Sequence, residues 1–283
     1  MFKQITILGP GLLGASLAMR CKEGTLCRQL VVGTRRPESR DACLAEAWCD
    51  AAFCDPREAV RGSDLVILCT PVGTMPTLLE QIAPALEEGS LVTDVGSTKQ
   101  CLCTAAETLS AANFDFVGAH PMAGSEKSGL CHARSDLFES AACILTPTAG
   151  TKPEALHRVQ AFWETIGTRV YSMSPEAHDQ TVASISHLPH LLASALCHEL
   201  GRQNPVWPEL SGPGLRDTTR VAAGDPELWQ QILLQNKASL FQALAGFEAS
   251  LADFKRALEG NQTDALRDLL KKGKVFRDQL NHD

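Results

Sequence analysis

Short apolar runs stand at residues 4–8, 30–33, 64–69, 91–94, 116–119, 142–145 and 169–171, each of a length that suits one strand. Between them lie amphipathic stretches, at 74–86 and 154–166 for example, whose apolar residues recur at helical spacing. Strand and helix in alternation predict βαβ units and a parallel sheet buried on both faces. The run at 64–69 passes into Thr70 and Pro71, and a proline cannot continue a central strand.

After Ser174 and Pro175 the strand-like runs stop. A serine followed by proline is a helix start, the hydroxyl capping and the proline filling the first turn. Residues 176–200 read as one helical pattern interrupted by Pro189, and a linker rich in proline and glycine follows at 203–214. Residues 226–258 then place Leu228, Ile232, Leu240, Leu244, Phe247, Leu251, Phe254 and Leu258 at three- and four-residue steps, which predicts one long helix with an apolar stripe. A second subunit or an intrachain bundle would each cover such a stripe, and a homodimer is the expectation.

Gly9-Pro10-Gly11-Leu12-Leu13-Gly14 follows the first strand run directly and opens a helix. In a dinucleotide-binding turn of this spacing Gly9 makes the tight turn, Gly11 lets backbone approach a pyrophosphate, and Gly14 lets helix and strand close up. The helix N-terminus at Leu12 and Leu13 offers unpaired N–H groups to the phosphates. The fold expected is therefore α/β, a Rossmann-type parallel-sheet domain over 1–173 followed by an all-α domain over 174–283 for substrate and dimerisation. An NAD site places a carboxylate at the end of the second strand. Here Thr34, Arg35 and Arg36 stand there instead, a hydroxyl and two guanidiniums that suit a 2′-phosphate. NADP is the favoured cofactor and NAD the alternative. Thr70 and Pro71, beyond the next strand, are counted with the cofactor residues.

Composition narrows the function classes. A chain of 283 residues accommodates two domains, and 44% hydrophobic with 21% charged residues is ordinary for a globular protein. A net charge of -7 argues against nucleic acid, which calls for a basic face, but leaves room for an anionic small molecule held by a local Arg or His cluster. The 11 cysteines form no CxxC pair and read as small buried hydrophobes with some free thiols. No run approaches the roughly 20 apolar residues of a membrane span, and Met1 leads straight into the first strand, so a cytoplasmic location is expected. His187 and His190 are three apart around Pro189, but no third ligand has convincing spacing, so no metal is expected.

Three further segments fall where such a fold places chemistry. They are Asp94-Val95-Gly96-Ser97-Thr98-Lys99, the run from Gly118 to Gly129 that contains His120, Ser125 and Glu126, and Ser186-His187-Leu188-Pro189-His190 with residues 212–220 and 225–229 behind it. In this order, and with the glycine turn, they resemble the prephenate/arogenate dehydrogenase family of tyrosine biosynthesis across essentially the whole chain. The resemblance implies oxidation of a hydroxylated cyclohexadiene carboxylate, prephenate or arogenate, with hydride passing to NAD(P) and loss of carbon dioxide. It implies that His120 receives the hydroxyl proton, a task that suits an imidazole titrating near neutrality. Ser97 matches the family serine beside the nicotinamide and the substrate hydroxyl.

By the same resemblance Arg220 binds a substrate carboxylate and His190 is a substrate-site histidine. Arg216, four residues before Arg220, shares its face if the stretch is helical. His187 is read as structural. Ser125 retains the hydroxyl of a family threonine, and Glu126 points towards prephenate, whereas the Thr34-Arg35-Arg36 cluster resembles NADP-dependent arogenate enzymes. The substrate therefore stays open between the two.

Overall fold

A computed structural model of the chain describes residues 1–109, 114–124, 127 and 129–280. Its strands are β1 (Phe2–Leu8), β2 (Cys27–Gly33), β3 (Ala51–Phe53), β4 (Leu65–Leu68), β5 (Ser90–Asp94), β6 (Phe114–Phe116), β7 (Gly118–Pro121), β8 (Ala142–Thr146) and β9 (Arg169–Ser172). Helices α1 (Leu12–Glu23), α2 (Pro37–Leu44), α3 (Pro56–Ala59), α4 (Met75–Ile82), α5 (Gln100–Thr108) and α6 (Pro153–Ile166) fall between them. After β9 come α7 (Pro175–Val182), α8 (Leu188–Leu200), α9 (Pro213–Thr219), α10 (Pro226–Gln235), α11 (Lys237–Glu259) and α12 (Thr263–Gln279). The chain divides into two compact units, Met1–Lys237 and Ala238–Asp283. The change from strands to helices comes earlier, between Ser172 and Pro175.

Six strands form a parallel sheet in the order β3-β2-β1-β4-β5-β6, the doubly wound arrangement of a Rossmann domain. Alternating strand residues feed two cores. Ile5, Ile7, Leu30, Val32, Leu65 and Ile67 pack with Leu17 of α1 and Val159 of α6. Leu8, Val31, Val66 and Leu68 pack on the other face with Leu79 and Ile82 of α4 and Leu102 of α5. Because both faces are covered, the strands read as continuous apolar runs and not as an apolar–polar alternation.

The last three strands depart from a single parallel series. The run at 116–119 is split, with Phe116 ending β6 of the first sheet and Gly118 opening β7 of a second sheet ordered β7-β8-β9. Strand β7 runs antiparallel to β8, and β8 parallel to β9. The switch needs a small residue at its corner, since a Cβ on Gly118 would stand 2.4 Å from Thr146 Oγ1. His120 is thereby placed on an edge strand of the small sheet.

The helical stretch at 176–200 is continuous but changes pitch. A π-type segment, Ala183–His187, joins α7 to α8, and Pro189 falls in the first turn of α8. A proline cannot bond the carbonyl four residues back, and a widened turn absorbs the missing bond. The single helix expected over 226–258 is instead two, α10 and α11, parted at Asn236. The Asn236 side chain at that break is buried in polar contacts described below.

The second unit holds α11 and α12, joined by a turn at residues 260–262 in which Asn261 adopts a φ of 48°. Phe247, Leu251 and Leu258 of α11 and Leu270, Val275 and Phe276 of α12 are exposed, so much of the apolar stripe is uncovered in the single chain. Among the described residues no helix is long and apolar enough to cross a membrane.

Candidate active site

The glycine turn after β1 has the sterics its spacing implies. Gly9 has a φ of 96°, and a Cβ there would lie 2.9 Å from the Cys69 carbonyl and from Thr70 Cγ2. At Gly14 a Cβ would meet the Gly9 carbonyl oxygen at 2.4 Å, whereas at Gly11 it would meet nothing within 4 Å. Gly11 is the N-cap of α1, with no side-chain cap, so the first-turn N–H groups of Leu12 and Leu13 lack intrahelical acceptors. Open space above a bare helix N-terminus fits a pyrophosphate. Thr70 and Pro71 border the turn at the end of β4, and the Thr70 hydroxyl accepts from Thr74 at 3.0 Å. Thr34 is half-buried at the end of β2, followed by exposed Arg35 and Arg36. These residues fit a dinucleotide.

Helix α10 grips the loops beyond β4 and β5. Gln231 accepts from the Gly73 N–H at 3.0 Å, and Gln235 donates to the Val72 carbonyl at 3.1 Å while accepting from the Thr98 hydroxyl at 2.6 Å. Ser97 is half-buried on the second of these loops. Asp94 and Lys99, both fully buried, form an ion pair flanking it. Asp94 accepts from the Ala119 N–H at 3.0 Å, and Lys99 donates to the Ala119 carbonyl at 2.9 Å. Ala119, the residue before His120, is thus held through both its N–H and its carbonyl by the ion pair that flanks the Ser97 loop.

His120 is 7% exposed, and its Nδ1 lies 2.9 Å from His178 Nε2. His178 Nδ1 in turn lies 2.8 Å from Asp179 Oδ1, which also accepts from the Lys99 N–H at 2.8 Å, while Oδ2 accepts from the Gln100 N–H at 3.0 Å. Burial pushes the Asp179 carboxyl up, but the hydrogen bonds from His178 and the two backbone N–H groups outweigh it and hold the pKa below its usual range. An ionised Asp179 only accepts, so His178 carries its proton on Nδ1 and presents a lone pair at Nε2. His120 must then donate from Nδ1, which leaves Nε2 as its basic nitrogen. Burial, with the neighbouring His178, Lys99 and His187, holds the His120 pKa well below 6.5, so the ring is neutral near pH 7.

On α8, His190 stacks on Trp229 of α10 with ring centroids 3.5 Å apart and planes 8° from parallel. Gly224 permits this stack, because a Cβ there would lie 2.4 Å from Trp229 Nε1 and 3.3 Å from His190 Cε1. His190 also interacts with the Val221 backbone, so Arg220 is next in sequence to a residue at the stack. Arg216, on α9, and Arg220, at the start of the short 3-10 turn that follows, are both exposed.

Two family models match the chain: the prephenate dehydrogenase nucleotide-binding domain over residues 26–172, and the prephenate dehydrogenase dimerization domain over 174–272. The chain belongs to the prephenate dehydrogenase family. Among its relatives is the cyclohexadienyl dehydrogenase of Zymomonas mobilis, 35% identical over 100% of this chain and 98% of that protein. The structure resembles prephenate dehydrogenase from A. aeolicus, solved in complex with hydroxyphenyl propionate and NAD+, at 32% identity and a TM-score of 0.93, covering 99% of each chain. It also resembles Synechocystis arogenate dehydrogenase at 30% identity and a TM-score of 0.85, covering 98% of this chain and 99% of that one.

Within this family member, His120, the Ser97 loop, His187, His190 and Trp229 form one neighbourhood on the first compact unit. Among the described residues no side-chain hydrogen bond or ion pair ties Arg216 to it. Ser125 and Glu126, expected at the substrate, lie outside the described residues. The sequence reading passed over His178, Asp179 and Asn236. The available signal was the capped helix start at Ser174, whose side chain accepts from the Ala177 N–H at 3.2 Å. It places a His-Asp pair in the opening turns of a helix with nothing to say which way the pair faces. Among the described residues no group of three or more His, Cys, Asp or Glu could hold a metal ion.

Proposed function

We infer that the protein is an NAD(P)-dependent dehydrogenase of tyrosine biosynthesis that oxidatively decarboxylates prephenate or arogenate, giving 4-hydroxyphenylpyruvate or tyrosine. The observation that carries the residue assignment is the hydrogen-bond relay His120–His178–Asp179, which leaves a neutral, basic Nε2 on His120. A nicotinamide cofactor, when bound, supplies the hydride acceptor. His120 Nε2 takes the proton of the ring hydroxyl as the carbinol carbon is oxidised, and Ser97 orients that hydroxyl. The ketone so formed is conjugated with the carbon bearing the carboxylate, so loss of carbon dioxide delivers its electron pair into the ring and gains aromaticity.

Charge and shape supply the remaining roles. Arg220, with Arg216, binds substrate carboxylate, and His190, held flat by Trp229, packs at the substrate with Ser125 and Glu126. Residues 1–173 carry the cofactor and residues 174–283 the substrate and the dimer contact. Gly9, Gly11, Leu12, Leu13 and Gly14 cradle the pyrophosphate beside Thr70 and Pro71. Thr34, Arg35 and Arg36 favour NADP over NAD, since no carboxylate stands at the end of β2. The exposed apolar residues of α11 and α12 support a homodimer. Free cysteines at all 11 positions suit a reducing cytoplasm.

Initial rates with prephenate and with arogenate, each with NAD and NADP, test the whole reading. Turnover of neither acid with either cofactor would remove it, and equal or better efficiency with NAD would remove the NADP preference.

A further inference from the structure

Strands β4 and β5 are parallel neighbours, so the loops beyond them leave the sheet side by side at its carboxyl end, where a doubly wound fold binds its ligands. The first loop carries Thr70, Pro71 and Val72, the second Ser97. They approach closely: a Cβ on Gly96 would lie 3.2 Å from Val72 Cγ1 and 3.1 Å from Met75 Sδ. The serine turn therefore lies against the β4 loop.

One side chain bridges the two. Gln235, the last residue of α10, donates from Nε2 to the Val72 carbonyl at 3.1 Å and accepts at Oε1 from the Thr98 hydroxyl at 2.6 Å. Both directions are fixed by chemistry. A carbonyl oxygen only accepts, so the NH2 faces Val72, and the amide oxygen is left for Thr98, whose hydroxyl must donate. Thr98 is 3% exposed, and its hydroxyl finds this acceptor 137 positions along the chain. Ser97 is thus held between Gly96, whose N–H donates to Asp94 at 2.7 Å, and Thr98, which is tied to Gln235.

The neighbours of Gln235 brace the same place. Gln231, one turn earlier, accepts from the Gly73 N–H at 3.0 Å. Asn236 is 3% exposed, and its Nδ2 donates to the Asp179 carbonyl at 2.7 Å and lies 3.0 Å from His187 Nδ1. Asp179 accepts from the Lys99 and Gln100 N–H groups, so the serine turn is also held from its far side. Helix α10 carries Trp229 as well, and so joins the His190 stack to both loops. All of these residues belong to the first compact unit.

We propose that Gln235 is a positioning residue for the dehydrogenase reaction, its amide setting the separation of the Ser97 turn from the cofactor loop at Val72. The inference rests on the roles given above to Ser97 and to the β4 loop. A hydroxyl that orients the reacting group counts most in the transition state, so an error in its place is read in kcat more than in substrate KM.

Four variants of the full chain test this, each checked for folding by a thermal melt. Gln235→Glu keeps the size but turns an oxygen towards the Val72 carbonyl, and Gln235→Met keeps the length without either bond. Thr98→Val removes the hydroxyl at constant shape, and Thr98→Ser keeps it. Misplacing a reacting group by about 1 Å costs on the order of 100-fold, so the first three lower kcat by about 10- to 100-fold at near-constant substrate KM, and Thr98→Ser recovers most of the loss. Adding Thr98→Val to Gln235→Met costs nothing further, because the bridge is already broken. Losses that multiply in the double variant overturn the proposal. So does a folded Gln235→Glu within about twofold of wild-type kcat, or Thr98→Ser no better than Thr98→Val. A second readout needs no turnover: crystal structures of wild type and Gln235→Met show the separation of Ser97 from Val72 widened in the variant. An unchanged separation overturns the proposal even if kcat falls. A widened separation, in a protein whose wild type turns over neither prephenate nor arogenate, supports the bridge and counts against the activity proposed above.

Discussion

Replacing His178 by phenylalanine keeps a ring of similar size in a fully buried slot but deletes the acceptor for His120 Nδ1–H. The histidine then has two exits. It can keep its proton on Nδ1 as a buried unsatisfied donor, at a cost of about 1–3 kcal/mol, or it can move the proton to Nε2 and cease to be a base. Either way the reactive form is disfavoured by that amount, which at about 1.4 kcal/mol per tenfold slows turnover by about 5- to 150-fold. The loss reaches at most the lower end of the roughly 10²–10⁴-fold expected for removing a general base outright, because a fraction of His120 remains in the productive tautomer. Since His178 is fully buried behind His120, KM for substrate and cofactor should hardly move. The assay is initial-rate formation of reduced cofactor at saturating substrate, with a thermal melt to show that the variant folds. A folded variant whose kcat stays within about twofold of wild type would refute the relay, since even the smallest penalty above predicts more.

Three further outcomes follow from the same geometry. His120→Asn should lower kcat by about 10²–10⁴-fold with little change in KM, whereas Arg220→Ala should chiefly raise the substrate KM, as steady-state kinetics on both variants will show. Because burial holds the His120 pKa well below 6.5, the acidic limb of kcat/KM should fall below that pH, and Lys99→Met, which removes a like charge, should move it upward; a wild-type limb above 6.5 contradicts the assignment. His187 is neutral in the folded chain down to a pKa of about 4 but takes a proton near 6.5 when unfolded. Its stability contribution is therefore complete above 6.5 and lost as pH falls towards 4, by about 3 kcal/mol in all, so urea unfolding at pH 7, 6 and 5 should show falling stability that His187→Gln flattens.

Much of the architecture was legible as pattern, because parallel strands buried on both faces and amphipathic helices each write their period into consecutive residues. Runs at 4–8, 30–33 and 64–69 coincide with central strands of the first sheet, and the glycine spacing at 9–14 announces its own sterics. Short or non-consecutive features escaped. Strand β3 has three half-buried residues and too little apolar signal to stand out, and the transfer from β6 to β7 turns on one close approach at Gly118 that no period reports.

Residue chemistry divides the same way. Sequence alone determined which side chains could act, since the types and order of Ser97, His120, His190 and Arg220 are visible in one dimension. Which nitrogen of His120 is basic was decided only in three dimensions, by His178 at 58 positions' remove and by a carboxylate held by backbone N–H groups of another loop. A histidine and an aspartate at the start of a helix look alike whether they face solvent or a base. Hydrogen-bond direction is a property of the assembled network: each donor assigns the role of the next acceptor, and those partners meet only when the chain has folded.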